Sequence, residues 1–71
     1  MFRQKPDPIR LQQALLKAEL EAELRQTQEE MLTVYSHFEQ VTDPDLIDCC
    51  IYEVNAVQKR YKYLLRQLQA L

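Results

Sequence analysis

The sequence contains no glycine and no tryptophan, three prolines, two cysteines and a single histidine. Each scarcity excludes something. Without glycine there is no phosphate-cradling glycine loop, and the tight strand hairpins that need positive φ are disfavoured. Two adjacent cysteines, Cys49 and Cys50, do not make the disulfide framework of a small secreted domain. A chain of 71 residues has no room for a dinucleotide-binding domain, a barrel or a two-domain enzyme. No uncharged run approaches the ~20 residues that span a bilayer. The opening stretch, Met1 to Pro8, has two early basic residues but no apolar core after them and no small-residue cleavage site. No signal peptide is read there, and the cytoplasm is the expected location.

What is present forms helix. Asp7-Pro8 is a helix start: Asp serves as N-cap and Pro occupies the first helical position, where its missing N–H costs nothing. No Pro follows until residue 44, and the intervening residues are rich in Leu, Gln, Ala, Glu, Lys and Arg. Thr42-Asp43-Pro44-Asp45 is a second start, with Asp43 or Thr42 as the cap. A helix rarely continues through the residue before a proline, so the first must end near residue 40. The expected organisation is a flexible segment over residues 1–7, a helix over 8–40, a turn over 41–43 and a helix over 44–70. So short a connection makes the helices antiparallel neighbours.

Periodicity sharpens this. Ile47, Cys50, Val54, Val57, Tyr61, Leu64, Leu68 and Leu71 alternate spacings of three and four, the a/d stripe of a coiled coil. Leu20, Leu24, Thr27, Met31, Val34, Phe38 and Val41 do the same in the first helix, with Thr27 the weak member. Extended backward, that stripe meets Lys17 and Gln13. The apolar residues there shift to Leu11, Leu15, Leu16, Ala18 and Ala22, so this half is apolar over a wider arc or faces another neighbour. A turn centred near residue 42 places Glu19, Glu21 and Glu23 close to Lys59–Arg66, so opposite charge blocks would meet in the antiparallel register. Each such surface pair is worth only about 0–1 kcal/mol, but their common sign helps to set orientation.

A helix of about 32 residues is roughly 48 Å long, so the hairpin must be a rod. Two helices alone cannot cover their apolar faces; Leu11, Leu15, Ala18, Tyr35, Leu46, Ile51 and Leu65 remain outside the seam. A hairpin lacks the core to offset ordering about 60 residues at roughly 1.5 kcal/mol each. The fold class expected is therefore all-α, an antiparallel coiled-coil-like hairpin that dimerises into a four-helix bundle, or pairs with another protein.

Candidate sites are few. Cys49 and Cys50 point about 100° apart on a helix and cannot chelate as a CxxC pair does, so they read as small hydrophobes. His37 lacks the further ligands of a metal site. The hydroxyls Thr27, Thr33, Ser36, Thr42 and four Tyr have only that one His to activate them, and Glu29 and Glu30 read as helix surface. No catalytic residue, cofactor, metal, membrane contact or small-molecule substrate is expected. Lys59, Arg60, Lys62 and Arg66 interleave with Tyr61 and Tyr63. That pattern suits phosphate contacts and base stacking on nucleic acid, or simply neutralises acids and the C-terminal end of the helix dipole. A net charge of −2 favours the second reading. Asp43, Asp45 and Asp48, with Tyr52 one turn on, cap the second helix and complement its dipole.

The run Asp43-Pro44-Asp45-Leu46-Ile47-Asp48, then Ile51-Tyr52-Glu53, Ala56 and Arg60-Tyr61-Lys62-Tyr63-Leu64-Leu65 resembles the small YaaL-like family of Gram-positive bacteria, a domain of unknown function. The likeness covers roughly residues 34–66. It implies a small helical cytoplasmic protein with no assigned activity. The functional expectation is a non-enzymatic interaction or adaptor module, assembled through its seam and its uncovered stripe. The alternative is a nucleic-acid accessory protein that uses the basic cluster.

Overall fold

The computed structural model describes residues 7–71. Of the segment expected to be flexible, residues 1–6 lie outside the described residues. Asp7 caps α1 (Pro8–Gln40), its side chain accepting from the Ile9 N–H at 3.0 Å. Val41 is extended and ends α1. Asp43 caps α2 (Pro44–Gln69), accepting from the N–H groups of Asp45 and Leu46. Each helix thus begins on an Asp-Pro pair that satisfies free N–H groups with a carboxylate. The second helix ends at Gln69, one residue short of the sequence expectation. Ala70 closes it as a turn, its N–H reaching the Arg66 carbonyl.

The two helices pack against each other as a hairpin, and no strand occurs among the described residues. The molecule is elongated: its radius of gyration is 18.3 Å, against about 11 Å for a compact chain of this length. The core is one line of side chains. Leu20, Leu24, Thr27 and Val34 are buried from α1, and Cys50, Val57 and Leu64 from α2. Leu20, Leu24 and Leu64 form one cluster, with Tyr61 and Leu68 packed on it. No core side chain is less than 2 % exposed, as expected where each helix has a single neighbour.

Thr27, the weak member of the stripe, is 3 % exposed, and its hydroxyl donates to the Glu23 carbonyl at 2.8 Å. Bonding back to its own helix lets a hydroxyl enter the seam without being left unpaired.

Candidate functional site

The seam positions fall into two groups. Leu20, Leu24, Val34, Cys50, Val57 and Leu64 are buried, and Met31, Ile47, Val54, Tyr61 and Leu68 are half-buried. Phe38 departs from the sequence expectation at 43 % exposed. With Tyr35 and the α2 residues Ile51, Val54 and Asn55 it lines a shallow groove of about 260 Å3.

The charge blocks also meet differently. Arg60 pairs with Glu30, where a fold centred at residue 42 would set it beside Leu24. Gln58 donates to the Tyr35 hydroxyl at 3.1 Å, where the same register would set it beside Gln26. Side chains lean toward the N-terminus of their own helix, so antiparallel neighbours lean toward each other. Their tips therefore meet between residues offset by six positions for Arg60 and nine for Gln58, about one and a half to two and a half turns. Arg60–Glu30 is the ion pair between the helices among the described residues; the other, Lys17–Glu21, lies within α1. Lys59, Lys62 and Arg66 make no ion pair among them, because they lie away from the seam residues Tyr61 and Leu64. Of the expected meeting of Glu19, Glu21 and Glu23 with Lys59–Arg66, Glu23 shares a groove with Arg60 and Leu64, but no ion pair joins the three acids to that stretch among the described residues.

These placements give the hairpin two different faces. One groove between the helices is polar, lined by Glu29, Glu30, Thr33, His37, Glu53 and Arg60 among others. The groove on the other side is lined by Tyr35, Phe38, Ile51, Val54 and Asn55. Of these, Tyr35, Phe38 and Ile51 are each more than 40 % exposed. The difference follows from heptad flanks. On α2, positions 53 and 60 on one flank are Glu and Arg, whereas positions 51, 58 and 65 on the other are Ile, Gln and Leu. The sequence reading singled out Tyr35, Ile51 and Leu65 as surplus apolar residues but did not see that they share a side.

A second uncovered region lies at the open end. Every residue of α1 from Pro8 to Glu19 is exposed, and the first buried one is Leu20. Ile9, Leu11, Leu15 and Leu16 are 45–66 % exposed. α1 has 33 residues and α2 26, so the first turns of α1 extend past the end of α2, and the seam line there reads Lys17, Gln13 and Arg10.

Cys50 is buried in the seam and Cys49 is exposed. Burial pushes the Cys50 thiol up from its ordinary value, and the nearby charges of Glu53 and Cys49 add in the same direction. A thiol so placed stays protonated and acts as a small hydrophobe. His37 and Glu53 line the polar groove, and no three His, Cys, Asp or Glu side chains converge on a common point among the described residues. No helix among them is long and apolar enough to cross a membrane.

The family model described as a protein of unknown function (DUF2508) matches residues 1–69, and the chain belongs to that family. This accords with the resemblance to the YaaL-like proteins. No curated protein and no solved structure matches the chain.

Proposed function

We propose that this member of the family is a non-enzymatic helical interaction module, whose apolar face is covered by another helical surface. The observation that supports this is the asymmetry of the hairpin. One groove is lined by charged and polar side chains, while the other exposes Tyr35, Phe38 and Ile51 beside a core of seven buried residues among those described. Contiguous exposed apolar surface of this kind marks an interaction site. A second hairpin is the simplest cover and makes a four-helix bundle, extending the coiled-coil-like seam into a closed core. Circular dichroism melts over a hundredfold dilution test this. The melting temperature should fall on dilution, or the chain alone should be only partly helical. A cooperative melt at one temperature throughout, from a fully helical chain, would contradict the reading.

A second reading rests on a separate observation. Lys59, Lys62 and Arg66 make no ion pair among the described residues, and Tyr63 beside them is 51 % exposed. Cations free of acidic partners with a neighbouring aromatic ring suit a nucleic-acid backbone. Retardation of single- or double-stranded DNA that weakens steeply with salt would support this reading. No retardation at low salt would remove it.

A further inference from the structure

We infer that the apolar groove face packs on the same face of a second copy, antiparallel, so that the turn end of each hairpin lies on the open end of the other. This deepens the interaction-module reading and rests on it.

Three observations choose the occupant and its direction. The first is charge. Between Arg25 and Lys59 there are seven Asp or Glu and not one Lys or Arg. All nine Lys and Arg, and the other four acids, lie outside that span. Because the chain folds back at residues 41–43, that span is the turn end of the rod, and the described residues on either side of it, with seven Lys and Arg against four acids, come together at the open end. The molecule is therefore negative at one end and positive at the other. Two copies side by side in the same direction set acid on acid and base on base. Reversed, they set Glu39 and Asp48 of one copy over the half of the other that carries Arg10 and Lys17.

The second observation is where the apolar surface lies. The groove of Tyr35, Phe38 and Ile51 is near the turn end, and the exposed stretch of α1 with Leu11 is at the open end. By heptad position Leu11 falls on the side of α1 that carries Tyr35, so under an antiparallel two-fold the groove of each copy meets the Leu11 end of the other, which is the self-complementarity that a closed dimer requires.

The third is area. The paired length of α2, 26 residues, is about 39 Å. Across a ribbon 20 Å wide this gives a footprint of roughly 800 Å2 on each copy, the usual size of a specific interface. The polar groove on the opposite side is lined by Glu29, Glu30 and Glu53, charges that would lose their water on being covered.

The test combines sedimentation velocity with a distance measurement. Ile51→Glu replaces a residue 45 % exposed in the hairpin, so the seam itself is left intact while the proposed interface gains an acid. The wild type should sediment as two chains, and Ile51→Glu should weaken association at least tenfold. Thr33→Glu, in the polar groove, should leave it unchanged. Spin labels on the exposed Cys49, with Cys50 replaced by Ala, should lie about 40 Å apart in the dimer, because each sits near the turn end of an oppositely directed rod. A label distance below about 20 Å, or a dimer indifferent to Ile51→Glu, would overturn the inference and leave the interaction-module reading standing. A wild type that stays one chain at every concentration would also overturn it. If that chain were fully helical and melted cooperatively, the broader reading would fail as well.

Discussion

At the scale of single residues, the seam tolerates two that are not ideal hydrophobes, for different reasons. Thr27 is paired within its own helix, and Cys50 is kept protonated by burial. Hydropathy alone marks Thr27 as weak, since it does not register a carbonyl four residues back on the same helix. The two thiols should behave unequally. Cys49 should react with a thiol reagent at the rate of an exposed cysteine, and Cys50 only as fast as the hairpin opens; equal rates in the folded protein would contradict the placement. Stability should report the same difference. The folded Cys50 thiol ionises less readily than the unfolded one, so its contribution is complete below the ordinary thiol pKa of 9.0 and is lost as the pH rises past it. Wild type should therefore lose stability relative to Cys50→Ala above that pH, and parallel pH profiles would contradict the account.

At the scale of elements, both helix starts were legible because Asp-Pro is a local signal, written in adjacent residues. The end of α2 was less so, because no glycine or proline marks where the last turn closes. Register was legible along the seam but not on its flanks. The match of charge blocks by residue number ignored the lean of side chains and the outward position of Lys59 and Arg66. The two caps should differ in consequence although their chemistry is the same. Asp43 starts a helix within the packed hairpin, so Asp43→Ala should cost about 1 kcal/mol, or roughly 4–8 °C in melting temperature. Asp7 starts a stretch of α1 with no buried residue for twelve positions in the single hairpin, so at a dilution that separates the copies Asp7→Ala should reduce helicity at that end and leave the main melt in place. Equal shifts from both would show that α1 is covered along its whole length.

At the scale of the whole molecule, the sequence announced a rod with surplus apolar residues, because helix length and heptad spacing are one-dimensional facts. It did not announce which side the surplus occupies, since Tyr35 and Ile51 share a face only once the helices are wound and paired. The thinness of the core has a direct consequence. Leu64 is 3 % exposed and packs with Leu20 and Leu24 in the central cluster. Leu64→Ala should cost 2–5 kcal/mol, a large share of what so small a chain possesses, and should abolish the cooperative melt. Retention of most of the wild-type melting temperature would place the stabilising contacts elsewhere.

The claim on which the account turns is that one seam is too little and a second helical surface completes the fold. Absolute mass by light scattering, measured from high to low micromolar concentration, tests it most directly. The account predicts a mass of two chains that falls toward one on dilution, with helicity falling alongside. A mass of one chain at every concentration, with helicity undiminished, would contradict it.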